Sequence, residues 1–201
     1  MTGDGASVEE LGGGATLLFL PRFLGEAEEA ALFAELLSRV PWEAREIVLF
    51  GRPVLQPRLV AWCGERPYRY SGQTLPPREI PPGLAALCAR VSARAGARFD
   101  HLLLNRYRDG RDSMGLHADD EPELGEDPVV ATLSLGAPRP FRIVPRRGSG
   151  GRRLLLSGGS LLVMGGRFQR EYRHGIPRVS APVGERISVT FRQILGSGGG
   201  G

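Results

Sequence analysis

His117-Ala118-Asp119 sets an imidazole and a carboxylate two residues apart, and on extended backbone residues at that spacing project from one face. Such a pair can grip one ion. His174, one of only three histidines in the chain, can complete the set from another strand. Two histidines and one carboxylate on one side of a metal leave the remaining positions open, the donor arrangement that non-haem Fe(II) oxygenases require. A His-x-Asp standing alone is weak, because most such pairs are ordinary polar surface.

Further support comes from residues 186–192, Arg-Ile-Ser-Val-Thr-Phe-Arg, which alternate without a break. Arg186, Ser188, Thr190 and Arg192 face one way, and Ile187, Val189 and Phe191 the other. If the arginine face points inward, its charges cost several kcal/mol per ion unless anions pair with them. A small dicarboxylate would satisfy both arginines, because the planar guanidinium fork binds carboxylates in a bidentate manner. If it points outward it is a solvated stripe. The strand-like segment 102–107 places Asn105 and Tyr107 on a common face, from which both can reach the same small molecule. Asp109-Gly110-Arg111-Asp112 then reads as a turn returning the chain toward His117.

The elements that position these groups follow from periodicity. Between 26 and 40, Leu32, Phe33, Leu36, Leu37 and Val40 recur at helical spacing behind an acidic start. A second helix carries Leu84, Leu87, Cys88 and Val91 on one face, with Pro81 and Pro82 at its head. From about residue 100 the pattern changes to short runs at 102–107, 129–135, 141–144, 154–156, 161–164 and 186–193, separated by Gly, Pro and Asp. Strands without intervening helices argue for antiparallel sheets closed as a sandwich, barrel or jelly roll. No fixed-period repeat argues for a solenoid or propeller. Residues 1–14 and 196–201, rich in glycine and lacking apolar periodicity, are expected to be flexible tails flanking one domain over 15–195.

At 201 residues, 41% hydrophobic and 24% charged, the chain fits a single domain able to bury a core. Its longest apolar runs fall far short of the about 20 residues a membrane helix needs, and no basic-then-apolar leader opens the chain. We therefore expect no membrane span and a cytoplasmic protein, nuclear if the source is eukaryotic. Cys63 and Cys88 have no ligand-like or framework spacing and read as reduced structural thiols. All 26 basic residues are arginine, so a single arginine says little. Their distribution says more: residues 1–40 hold seven acids and two arginines, whereas 139–192 hold twelve arginines and two acids. Such a basic stretch suits a polyanion such as nucleic acid, or is a solvated surface.

Taken in order, Asn105-Arg106-Tyr107-Arg108-Asp109-Gly110, His117-Ala118-Asp119-Asp120-Glu121, His174-Gly175-Ile176-Pro177 and the stretch 186–192 closely resemble the AlkB family of Fe(II)- and 2-oxoglutarate-dependent nucleic-acid demethylases. The resemblance covers roughly 45–194. It implies an α+β, mainly β fold: a double-stranded β-helix, or jelly roll, with N-terminal helices packed outside. It implies that His117, Asp119 and His174 hold Fe(II), that Arg186 and Tyr107 hold the far carboxylate of 2-oxoglutarate, and that Arg192 and Asn105 lie by its metal-chelating end. Ser188 stands where the family often has asparagine, and Thr190 is a wall residue of the same site. Asp120 and Glu121 stand where family members read an exocyclic amino group. Residues 47–52 resemble a hairpin finger with Phe50 as an apolar wedge, and Tyr68-Arg69-Tyr70-Ser71-Gly72 and Gln56-Pro57-Arg58 resemble a base-binding lid. Tyr70 would stack on a flipped base opposite His117, Tyr68 would offer a hydroxyl, and Arg58 would meet phosphate or base. The implied function is oxidative repair of 1-methyladenine and 3-methylcytosine in DNA, consuming 2-oxoglutarate and O2, by a monomer acting on a duplex with the base flipped. Alternatives are an RNA demethylase, a protein or small-molecule hydroxylase of the same iron class, or a nucleic-acid-binding module without catalysis.

Overall fold

The computed structural model describes residues 5–49, 51–70 and 73–195. Its elements run β1 Ser7–Glu10, β2 Ala15–Leu20, α1 Glu26–Arg39, β3 Glu43–Leu49, β4 Arg52–Gly64, β5 Tyr68–Tyr70, β6 Gln73–Leu75, α2 Pro82–Ala95, β7 His101–Tyr107, β8 Met114–His117, β9 Val130–Gly136, β10 Arg139–Pro145, β11 Arg152–Leu156, β12 Leu161–Gly166, α3 Phe168–Glu171, β13 Tyr172–Ile176 and β14 Arg186–Arg192. A major sheet has the order β1-β2-β12-β9-β14-β7-β4-β3, and a minor sheet the order β11-β10-β13-β8. Tyr107, Phe141, Ile143, Leu162, Met164, Phe168 and Ile176 form one apolar cluster that joins strands of both sheets. This is the expected jelly roll, mostly antiparallel strand with helices outside it.

The helices bury their apolar stripes on the other face of the major sheet. Leu36 of α1 and Leu84, Leu87, Cys88 and Val91 of α2 cluster with Leu102, Leu104, Leu133, Leu135, Ile187, Val189 and Phe191. Each large aliphatic buried there contributes about 1.5–3 kcal/mol. Three acids in the first turn of α1 complement its dipole, and α2 begins on proline and ends at Gly96 in the left-handed conformation. Cys63 and Cys88 lie in this layer; burial pushes the Cys63 thiol up to about 12, and the Cys88 thiol donates to the Phe99 carbonyl at 3.3 Å. Both are inert core thiols, as expected. Among the described residues no helix is long and apolar enough to cross a membrane.

The N-terminal segment departs from expectation. Ser7–Glu10, inside the stretch 1–14 expected as a tail, pairs antiparallel with β2, and β2 pairs in turn with β12. Backbone pairing along an open sheet edge orders residues that have no apolar periodicity of their own. β3 and the thirteen-residue β4 likewise extend the major sheet beyond β7. Residues 1–4 and 196–201 lie outside the described residues.

His101, the third histidine, is buried at the start of β7 opposite Arg192. Burial, then the Arg192 charge, lowers its pKa to about 3. The unfolded chain takes up this proton as pH falls below about 6.5 and the folded chain does not until about 3, so stability falls across that window. Urea unfolding of His101→Gln is expected to show a flatter acid limb than the parent, and an unchanged limb would remove His101 as its cause.

Candidate metal and cosubstrate site

β14 lies in the middle of the major sheet, and all seven of its residues are buried. Ile187, Val189 and Phe191 turn to the helices; Arg186, Ser188, Thr190 and Arg192 turn to the interior between the sheets. The arginine face therefore points inward. Antiparallel register sets Arg186 opposite Tyr107, Ser188 opposite Asn105 and Thr190 opposite Leu103. On its other side β9 sets Ser134 against Ser188 and Thr132 against Thr190. These rows floor a cavity that Met114, His117, Asp119, Phe141, His174 and Ile176 close from the minor sheet and its loops.

Register also joins the histidines. β13 places His174 opposite His117 of β8, with ring centroids 4.4 Å apart. Asp119 follows β8 and is almost wholly buried. One donor atom from each of His117, Asp119 and His174 lies within 4.8 Å of the others. The strands approach closely because residue 175 is glycine: a Cβ there would come within 2.7 Å of the Met114 carbonyl oxygen and 2.8 Å of that of Gly115. Gly175→Ala is thus expected to push β8 outward and weaken divalent-metal binding at least about ten-fold, a loss of about 1.4 kcal/mol; a calorimetric titration with Mn(II) matching the parent would contradict this.

Around the donors the polar contacts are directional. His117 Nδ1 lies 3.0 Å from the Gly115 carbonyl, which it meets as a donor, leaving Nε2 with its lone pair. Burial, then the His174 charge, lowers the His117 pKa to about 4, so the ring is neutral at neutral pH. Burial opposes the charge on Asp119, but Arg192 and the two imidazoles hold its carboxyl far below the usual range. Arg192 donates to Asp119 Oδ1 from Nη2 and, at 3.1 Å, from Nε. The other oxygen, Oδ2, is buried, accepts no hydrogen bond among the described residues, and stands 3.5 Å from His174 Nε2. An anionic oxygen beside two imidazole rings fits a divalent cation. Gln169, absent from the sequence reading, fixes the ligand backbone: its Oε1 accepts the Asp119 N–H at 3.0 Å.

At the other end of the floor, Arg186 donates from Nη2 to Ser134 Oγ at 2.9 Å, while its Nε and Nη1 are buried with no partner among the described residues. Burial lowers its pKa to about 10. Its guanidinium lies 5.2 Å from the Tyr107 ring centroid. Unmet buried N–H groups facing a cavity fit an incoming carboxylate. Arg139, also missed in the sequence, is fully buried and braces this end by donating to the carbonyls of Asp109, Asp112 and Pro177.

Against this geometry, residues 16–192 match the family described as the 2OG-Fe(II) oxygenase superfamily. The chain is 36% identical over 184 residues to the bovine alpha-ketoglutarate-dependent dioxygenase alkB homolog 3, covering 87% of this chain and 64% of that protein. It is 36% identical over 187 residues to the mouse DNA oxidative demethylase ALKBH2, covering 85% of this chain and 77% of the relative. The chain belongs to the AlkB family of 2OG-Fe(II) oxygenases. A solved structure titled for OsALKBH1 shares the fold, with a TM-score of 0.67 over 93% of this chain and all of that one at 18% identity. The family's reagents are Fe(II), 2-oxoglutarate and O2, and the donor set and the anion-seeking Arg186 fit the first two.

The remaining sequence-predicted residues of this AlkB-family chain are dispersed. Asn105 lies on the cavity floor, but its Oδ1 accepts Arg58 Nε at 2.8 Å. Arg58 is therefore buried inside rather than displayed toward phosphate or base, and a second donation reaches the Ser113 carbonyl. Arg192 is occupied by Asp119. Asp120 pairs with Arg146 at the surface, and Glu121 is half-buried. Residues 47–52, which resemble a finger, fall in the β3–β4 hairpin, with Leu49 opposite Arg52 and Gly51 at φ 75°, a left-handed turn position suited to glycine. Phe50 itself lies outside the described residues. Tyr68 and Tyr70 begin and end β5, which pairs with β6; their side chains lie outside the description, as do Ser71 and Gly72.

Proposed function

We propose that this AlkB-family domain removes N-methyl groups oxidatively from nucleic-acid bases, with 1-methyladenine and 3-methylcytosine in DNA as its substrates and formaldehyde, succinate and CO2 as products. One observation carries the reading: three metal-donor atoms and an anion-seeking guanidinium open into one cavity, in a chain about a third identical to proteins named DNA oxidative demethylase. The chain spans 64% of the bovine alkB homolog 3, so the activity is argued for this domain alone.

His117 Nε2, Asp119 Oδ2 and His174 would hold Fe(II), and Arg186 with Tyr107 would hold the far carboxylate of 2-oxoglutarate. When bound, the iron supplies oxidation of a methyl C–H bond by O2, coupled to decarboxylation of 2-oxoglutarate to succinate. The chain's own part is placement. Arg192 keeps Asp119 ionised and turned so that one oxygen remains for the metal. Ser188, Thr190 and Thr132 line the chamber, and Phe141 and Ile176 give it apolar walls that limit water. The hydroxylated N-methyl group then sheds formaldehyde and the base is restored. Of the two acids beside the donors in sequence, Asp120 is paired with Arg146, and Glu121 would favour a cationic lesion by charge. Tyr70 and Tyr68 would receive the flipped base, and a single domain that includes β1 would act as a monomer.

The test is anaerobic loading with Fe(II) and 2-oxoglutarate, then oxygen, with duplex DNA bearing one 1-methyladenine. Loss of one methyl mass per succinate formed is expected. Succinate without demethylation would move the substrate to RNA, protein or metabolite, and neither product would overturn the catalytic reading. A second variant addresses the finger. Phe50→Ala is expected to lower duplex turnover about ten-fold, since an unfilled stack costs a few kcal/mol, while sparing single strands. Equal losses on both substrates would end the wedge assignment.

A further inference from the structure

The twelve arginines between residues 139 and 192 divide by environment. Arg139, Arg186 and Arg192 are buried at the site. Arg146, Arg152, Arg167 and Arg170 pair with Asp120, Glu9, Glu171 and Glu126. Arg147 and Arg178 are exposed in loops, and Arg142, Arg153 and Arg173, exposed on strands, share no ion pair with a carboxylate among the described residues.

These last three stand on one face. Phe141, Ile143 and His174 point between the sheets, so their chain neighbours Arg142 and Arg173 point outward. β10 and β11 set Arg142 directly opposite Arg153, and β10 and β13 set Val144 opposite Arg173, two residues along from Arg142. Like charges directly opposed across strands destabilise a sheet. β10, β11 and β13 contain no acidic residue that could offset them. A groove of about 670 Å³ runs beside the row, lined by Arg142, Arg152, Arg153, Val144 and Pro177. The loop leaving β10 is tied by Arg146 to Asp120, which follows the donor Asp119, so this face and the cavity mouth are joined by one ion pair.

A repulsion between neighbouring guanidiniums is relieved by an anion that spans them, and side chains on strands about 4.8 Å apart suit a chain of phosphates better than one small ion. The three strands bring no aromatic residue to this face for a base to stack on, which leaves the backbone as the contact. We propose that the outer face of the minor sheet is a phosphodiester-backbone site, gripping nucleic acid that flanks the nucleotide in the cavity without reading its sequence. The proposal rests on the nucleic-acid substrate argued above.

The experiment follows fluorescence anisotropy of a long single-stranded oligonucleotide across a salt series, comparing the parent with Arg142→Ser/Arg153→Ser/Arg173→Ser. At about 0.7 per phosphate contact, the triple variant should bind more weakly and lose about 2 from the slope of log affinity against log salt. Arg142→Lys, which keeps the charge, should keep the slope. Turnover of a trinucleotide carrying 1-methyladenine, too short to reach the row, should match the parent in both. An unchanged slope would overturn the proposal, as would a parallel loss on the trinucleotide, which would trace the effect to the cavity. If the parent demethylates nothing yet the slope difference appears, the backbone site stands and the substrate reading falls.

Discussion

Asp119→Ala is expected to abolish turnover and to remove measurable binding of Fe(II) or its Mn(II) surrogate, with the largest effect of any single substitution in the chain. The carboxylate does two jobs at once. Oδ1 takes two donations from Arg192, and Oδ2 is left among the donor atoms of the two histidines. Alanine deletes a metal ligand and also the counter-charge of a guanidinium whose side chain is 2% exposed. Removing one member of a buried ion pair costs about 3–5 kcal/mol, so a lowered melting temperature should accompany the lost activity. Asp119→Asn separates the two jobs. It keeps the volume and an acceptor for Arg192, so it should fold better than the alanine variant while binding metal poorly. Full activity in either variant would exclude Asp119 as a ligand.

Arg186→Ala is expected to raise the KM for 2-oxoglutarate by about thirty-fold or more, the equivalent of about 2 kcal/mol for truncating one partner of a buried charge pair. The guanidinium is 1% exposed, anchored by one N–H to Ser134, and aims two further N–H groups at space bounded by Tyr107. Arg186→Lys should not restore affinity, since an ammonium lacks the fork that meets both oxygens of a carboxylate. The split between constants carries the information. Near-parental kcat at saturating 2-oxoglutarate is expected, because the group holds the remote end of the molecule. Unchanged KM would remove Arg186 from cosubstrate binding.

Much of this site could be read along the chain, for a reason visible in β14. Seven residues of strict alternation leave one question, which face is inward, and burial of both faces answers it. His117 and Asp119 were legible as a local pair. A His174 donor atom lies within 4.8 Å of theirs only because β13 pairs with β8, and no local pattern announces that pairing; scarcity of histidine made it a candidate and the resemblance gave it the role. The supporting residues were less accessible. Thr132 and Ser134 leave a trace, two polar residues alternating in an otherwise apolar strand. Gln169 and Arg139 leave none, since each acts through backbone groups distant in sequence. β1 and most of β4 were missed because β4 carries Pro53 and Pro57, which interrupt a strand pattern, and because β1 is ordered by pairing with β2 and by the Arg152–Glu9 ion pair, not by a pattern of its own. Arg58 was assigned to phosphate or base by the resemblance of its segment to a lid, whereas Asn105 draws it in.

The burial of β14 on both sides has a consequence for how this protein can change. In a globular sheet with one wet face, every second position absorbs substitution freely, and activity can drift while the fold stays put. Here Ile187, Val189 and Phe191 are committed to the helices and Arg186, Ser188, Thr190 and Arg192 to the cavity, so the heptapeptide has no neutral position. A saturation library across it should return the parent and a few replacements of like size and polarity, and tuning of substrate preference is expected at the loops and hairpins of the rim.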